Sequence, residues 1–310
     1  MSPWPELSAD RDRSTIVALH LFSQVLGKVP TAILPWRNHG WQLTLHLTPR
    51  GLTTEPVYTP NGVFTLALDL AGHELVYESP DARISTALNS NTVAAFYETV
   101  MKILAKAGHA IRIHAAPNEV DPATPFADDK LLRVYSRDSA ARLLGALHDA
   151  DRVFRLFRSA FLGKVSPVHF FWGSFDLAVT RFSGRAAPRH PGGIPHLPDD
   201  VTREAYSHEV SSAGFWPGGA GAEGGPFFYS YAYPSPDGFA AATVRPEAAR
   251  WDAALGEYVL DYEAVRTAPD PDTALLRFLT STYEAAADLG KWDRAALECA
   301  QGRPGVPRQV

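Results

Sequence analysis

Over residues 12–26 the apolar side chains Ile16, Leu19, Phe22 and Leu26 recur at helical spacing, and Gly27 followed by Pro30 predicts the helix stop. The period then falls to two. Trp41, Leu43, Leu45 and Leu47 alternate with Gln42, Thr44 and His46, as in a strand with one buried face. Asn61-Gly62 predicts a turn, and a second strand follows in which Phe64, Leu66, Leu68 and Leu70 alternate with Thr65, Ala67 and Asp69. Ala71-Gly72 turns the chain into a third strand over residues 74–78. Asn91 is expected to cap a helix striped by Val93, Phe96, Tyr97, Val100, Met101 and Leu104 and closed by Gly108.

The same order recurs downstream. Asp138 or Ser139 opens a long helix with Leu144, Leu147, Phe154, Phe157 and Phe161 inward, ending at Leu162-Gly163-Lys164-Val165, which matches Leu26-Gly27-Lys28-Val29. Strands over residues 172–180, 206–216 and 227–233, then a helix from Asp270-Pro271 to Leu289-Gly290, complete the second set. The pattern predicts an α+β protein: two diverged copies of a helix, antiparallel strand meander and helix unit, packed about a pseudo-twofold axis with a cleft between them. The expected divisions are a first repeat over residues 1–120, a linker over 121–137, a second repeat over 138–300 and a disordered tail over 301–310.

With 45% hydrophobic residues, 310 positions suffice for a substantial core, and 7 Trp, 11 Tyr and 16 Phe among 25 Pro and 23 Gly fit turn-rich, aromatic sheets. The 29 basic and 34 acidic residues are spread along the chain, so no basic field attracts a phosphate backbone and nucleic acid is not an expected partner. Cys299, the only cysteine, excludes an internal disulfide, a cysteine-held iron–sulfur cluster and a multi-cysteine zinc site. The charged residues 6–13 form no signal peptide, and no apolar run is read as long enough to span a membrane. The expected location is the cytoplasm, with no membrane partner.

Candidate chemistry concentrates in the second half. Alternation over residues 172–180 puts Trp172, Ser174, Asp176, Ala178 and Thr180 on one strand face and Phe171, Phe175, Leu177 and Val179 on the other. An acid in mid-strand among large side chains needs a partner; Arg181, Arg185 and Arg203 are the candidates, and a plain salt bridge is the alternative to catalysis. Tyr206, His208, Val210 and Ser212 share one face while Glu209 falls on the other, so His208 and Glu209 do not act as neighbours. Either could meet Asp176 or His169 as an acid–base pair or a His-and-carboxylate metal site, or His208 could be a hydrogen-bonded strand histidine. His190 and His196 flank a Pro-Gly-Gly loop at no zinc spacing. Gly219, Gly221 and Gly224 match a dinucleotide fingerprint literally, but a strand follows where a helix must start, which makes the segment a lid or hairpin loop. Ser174 lacks the Gly-x-Ser-x-Gly elbow of hydrolases. Neither a cofactor nor a metal is assigned.

The runs SPVHFFWGSFDLAVTRFSG at residues 166–184 and REAYSHEVSS at 203–212 resemble the hallmark segments of an uncharacterised bacterial family catalogued as a domain of unknown function, number five-nine-nine-six. WPEL at 4–7, GLTT at 51–54 and FWPG at 215–218 resemble it too, so the likeness covers nearly the whole chain. It implies no activity, cofactor or partner. It does single out His169, Asp176, Arg181, Tyr206, His208 and Glu209 as the polar residues inside the hallmark segments.

Two functions follow. In the first, a small molecule is bound or turned over in a cleft of the second-half strands, with Asp176, His208 and Glu209 as catalytic groups and His169, Trp172, Arg181, Tyr206 and Trp216 as ligand contacts. In the second, the aromatic half is a non-catalytic module that packs a partner or a twin in a homodimer, with Trp216 and Tyr231 at the contact. The first is preferred because ionisable residues fall within the aromatic strands of one half, while the matched strands of the other lack most of them.

Overall fold

In a computed structural model, which describes residues 4–221 and 223–308, the first apolar stripe forms helix α1 (Ala9–Ile33). Gly27 and Pro30 do not end it. Gly27 instead lets Trp172 lie against the helix, where an added Cβ would come within 2.3 Å of the indole, and the Thr31 hydroxyl donates to the Gly27 carbonyl at 2.7 Å. Against the reading of the apolar runs, α1 is long and apolar enough to cross a membrane by length and composition alone, yet 78% of that stretch is buried in the fold. The sequence reading missed this because Ser23, Gln24 and Lys28 interrupt the apolar run, and all three are buried.

The chain continues through β1 (Thr44–Thr48), β2 (Gly51–Thr53), β3 (Val57–Thr59), β4 (Gly62–Asp69), β5 (Glu74–Ser79), β6 (Ala82–Ala87), β7 (Asn91–Thr92), α2 (Val93–Lys106), β8 (Leu132–Arg133) and α3 (Arg137–Arg158). After α3 come β9 (His169–Phe171), β10 (Asp176–Ala186), α4 (Asp199–Ala205), β11 (His208–Trp216) and β12 (Phe227–Tyr233). Last are β13 (Arg250–Asp252), β14 (Glu257–Asp261), α5 (Tyr262–Arg266), α6 (Pro271–Leu289) and α7 (Arg294–Leu297).

Several boundaries move for local reasons. The expected strand over residues 172–180 begins as a turn: Phe175 donates its amide to the Phe171 carbonyl at 2.9 Å, and only at Asp176 does β10 start. Tyr206 closes helix α4 and does not open a strand. Trp41 ends a short helical turn over Asn38–Gly40, so β1 starts later than its apolar alternation suggested. Thr92 caps α2 in place of Asn91, and Ser136 caps α3 ahead of Asp138, because each hydroxyl reaches the amide three residues on. The two Leu-Gly-Lys-Val segments differ in structure: the first is helical, and the second lies beyond the end of α3.

The protein is a mixed helix and antiparallel-sheet fold. Twelve strands form one sheet, ordered β13-β14-β12-β11-β10-β9-β1-β2-β4-β5-β6 with β3 paired to β4. Two arms meet through β1, whose Thr44 and Leu45 pair with Phe171 and Phe170 of β9 while its far end pairs with β2. Helices α3 and α6 pack together on one face of the β9–β14 arm. Leu177, Val179, Phe215 and Phe228 face them fully buried, each contributing about 1.5–3 kcal/mol. Residues 121–137 bury Phe126 and Tyr135. Gly302 donates to Ser159 Oγ at 3.1 Å; positions 309 and 310 of the expected tail lie outside the described residues.

Candidate functional site

The opposite face of the same arm does not pack against α3 and α6. From β10 it presents Asp176, Ala178 and Thr180, from β11 Val210, Ser212 and Trp216, and from β12 Tyr229 and Tyr231, which form the floor of a cleft of about 1320 Å³. Residues of α1, the 114–119 segment and the 172–174 turn close one side, and the 194–198 loop with α4 lies over it. Alternation along the strands decides this partition: odd-numbered positions of β10 and β11 pack on helices, and even-numbered positions face the cleft.

Asp176 is buried in the floor and accepts hydrogen bonds from Ser174 Oγ and Tyr229 Oη. Burial pushes its carboxyl up, and the two hydroxyl donors only partly offset that. Tyr229 reaches it across β11 because Gly214 stands between them; a Cβ there would lie 2.3 Å from the tyrosine hydroxyl. Tyr206 and Tyr231 share a hydroxyl–hydroxyl bond of 2.8 Å, as do Thr180 and Ser212. None of the three expected arginines meets Asp176. Arg181 lies on the helix side, over the rings of Phe157 and Tyr283 at 3.5 and 4.3 Å. Arg185 pairs with Glu209 at 2.7 Å and Arg203 with Asp199 at 3.0 Å. An arginine at odd position 181 or 185 cannot turn to the even face without breaking the strand.

Two further carboxyl groups converge on the cleft. Burial, aided by Asp176, pushes Glu119 up to about 7 and Glu257 up to about 8. Glu119 packs on Gly173, where a Cβ would come within 2.2 Å of its Oε1. Three acids and the tyrosines therefore share one recess. Among the described residues no group of three or more His, Cys, Asp and Glu is arranged to hold a metal ion.

On the α1 side, His20, Gln24 and Lys28 follow one another at helical i, i+4 spacing. His20 Nδ1 accepts from the Ala220 amide at 3.0 Å, so Nε2 carries the proton and donates to the Gly173 carbonyl at 2.9 Å. Burial outweighs that bond and holds its pKa at about 4, so the ring is neutral. Gln24 clamps Asn118 from both ends, accepting its amide at 3.0 Å and donating to its carbonyl at 2.9 Å.

Of the residues singled out from sequence, Asp176, Trp172, Tyr206 and Trp216 line the cleft. His208, Glu209, His169 and Arg181 do not. His208 lies edge-on to His39 at 5.5 Å, and Glu209 projects from the other face of β11 to Arg185. His169 is buried against Phe171 and Trp41, and burial, with His46 nearby, holds it at about 3. Glu119, Glu257, Lys28 and His20 were missed. A polar stripe at 20, 24 and 28 on an otherwise apolar helix is the one signal that could have found the α1 residues. Glu119 and Glu257 look like any other acids in sequence.

Backbone conformation points to the same place. Six described non-glycine residues have positive φ, and three of them, His39, Glu119 and His196, line the cleft, while a fourth, Phe175, stands behind it. Such residues store about 1–3 kcal/mol each and cluster at functional sites.

The sequence model of one family matches residues 4–299, nearly the whole chain. The chain belongs to that family, the family of unknown function DUF5996. No curated protein and no solved structure matched this DUF5996 member. The match takes in every cleft residue described above.

Proposed function

We propose that the protein binds a small uncharged organic molecule in the cleft and exchanges protons with it through Asp176, Glu119 and Glu257. The observation that carries this reading is the convergence of three carboxyl groups with raised pKa on one large aromatic-walled cleft. Recesses with a few convergent polar groups are where proteins hold small molecules. Near pH 7 Glu119 is divided between acid and carboxylate and Glu257 is mostly protonated, the states a general base and a general acid need. No arginine lines the cleft among the described residues, so a phosphate or carboxylate finds no bidentate partner and meets repelling acids. Trp172, Tyr206 and Trp216 supply stacking surface. His169, Arg181, His208 and Glu209 are assigned structural roles, since none of the four lines the cleft.

The test uses neutral aromatic alcohols and amides as probes of thermal unfolding. At least one is expected to raise the Tm of the wild type, and the rise is expected to vanish in Asp176→Asn and in Gly214→Ala, whose new methyl displaces Tyr229. A rise that survives both substitutions, or that only phosphorylated probes produce, overturns the reading.

The two halves are further read as diverged copies divided near residues 121–137, each supplying one arm of the sheet; the recurring order of elements supports this. The lone cysteine supports the cytoplasm as the place of action. Self-association has one supporting observation, the exposed Leu131, Leu132 and Val134 around β8; Trp216 and Tyr231 turn into the cleft and do not support it.

A further inference from the structure

Lys28 is the one buried lysine among the described residues, 4% exposed, and it lines the cleft. A buried ammonium ordinarily has a carboxylate beside it. Lys28 has none within ion-pair distance. Its Nζ donates to Asn118 Oδ1, lies 3.4 Å from His114 Nδ1 and stands 5.4 Å above the Trp172 ring. Asn118 is fixed in that orientation because its Nδ2 donates to the His196 carbonyl, leaving Oδ1 for the lysine, and because Gln24 holds its backbone. The amine is thus held by a neutral acceptor at the wall of a cleft, on a rigid helix. Its surroundings fix its position with a neutral acceptor and an aromatic face, and supply no counter-charge.

We propose that Lys28 is a nucleophilic amine that condenses with the carbonyl carbon of a neutral aldehyde or ketone bound in the cleft. The inference rests on the cleft being a small-molecule site, and it names the substrate class. The nitrogen lone pair forms the C–N bond while the carbonyl π pair moves to oxygen. His114 Nδ1 is near enough to take the proton from nitrogen, and the oxygen is protonated to a carbinolamine. Loss of water, carrying off that oxygen with both amine hydrogens, leaves the C=N bond; one carbonyl and one primary amine give one imine and one water, with no change of oxidation state. Glu119 follows Asn118 in the chain and packs on the turn that carries Trp172, which brings a proton-bearing acid to the same wall for the dehydration.

Burial also holds the Lys28 ammonium down, to about 8. About a tenth of it is then free amine at pH 7, against well under a thousandth for an ordinary lysine.

The experiment treats the intact protein with benzaldehyde and sodium cyanoborohydride near pH 7 and follows each of the six lysines by peptide mass spectrometry. Lys28 is expected to become benzylated at least tenfold faster than the exposed Lys102, and Asn118→Ala is expected to slow Lys28 without changing Lys102. In parallel, benzyl alcohol, which fits the same space but cannot condense, is tested for a Tm rise in the wild type that Asp176→Asn abolishes. Labelling of Lys28 no faster than Lys102, with the benzyl alcohol effect present, overturns the nucleophile and leaves the binding site standing. Loss of both signals overturns the two together.

Discussion

Glu257 carries the clearest pH signature of the cleft acids at the scale of single residues. Its ordinary value is 4.5 and burial raises it to about 8, so the folded protein keeps a proton that the unfolded chain releases. A raised pKa contributes stability that is fully present below pH 4.5 and is lost as pH rises through 8. Glu257→Gln keeps the shape and removes the titration. Calorimetry should find the variant gaining Tm over the wild type between pH 5 and 9 and gaining nothing further at lower pH; an equal gain at every pH would refute the shift. Asp176 differs from Glu257 in kind: one of its two hydroxyl donors, Tyr229, reaches it past a glycine on the neighbouring strand, so its role is set by residue 214 as much as by residue 176.

The turn between β9 and β10 makes the site's geometry at the scale of elements. Phe175 occupies it at a φ of 62°, an arrangement glycine adopts freely and phenylalanine does not. Relieving that backbone with Phe175→Gly returns about 1–3 kcal/mol. The ring, however, stacks on His20 at 5.1 Å and meets Phe170 edge-on at 4.9 Å, and deleting a buried phenylalanine costs about 3–5 kcal/mol. Packing wins, so urea denaturation should report net destabilisation of about 2 kcal/mol. A neutral or stabilising effect would mean that backbone strain dominates the turn. The period-two pattern over residues 172–180 reads as one strand running through this turn, and only its second part is a strand: from Asp176 onward the even positions share the cleft face. The interruption at Trp172–Gly173–Ser174–Phe175 was not legible, because a phenylalanine in a left-handed conformation has no local signature and is held there by His20 from a helix far away in sequence.

At the scale of the whole molecule, Asp12 joins α1 to α3. It is fully buried and accepts from Arg142 at 2.6 Å, Arg11 at 3.0 Å and the Ser8 amide at 2.9 Å. Burial alone would raise its carboxyl, but the two guanidinium groups, the amide and Ser139 more than reverse this and hold it well below the usual carboxylate range. A depressed pKa contributes stability that is present above the ordinary value of 3.8 and lost as pH falls toward the folded value. Asp12→Asn removes the charge that the half-buried Arg142 and the exposed Arg11 both bind, and should cost about 1.5–3 kcal/mol at pH 7. In urea titrations that cost should shrink below pH 4; a cost independent of pH would show that the ion pair is not what holds the two helices.

The sequence by itself determined the mixed helix and antiparallel-sheet class, most of the helices and strands, and the two faces of β10 and β11. These follow from hydrophobic periodicity, which is local: a side chain's face depends on its place in a period of two or of 3.6 residues. It also marked Asp176, Trp172, Tyr206 and Trp216, whose polar or aromatic character stands out in segments that read as strands. Only the tertiary structure decided that the arms join through two residue pairs of β1 and β9, that Tyr229 and not an arginine partners Asp176, and that Lys28, Glu119 and Glu257 meet in one recess. Their chemistry comes from desolvation and from neighbours distant along the chain, and neither leaves a mark on the order of the residues.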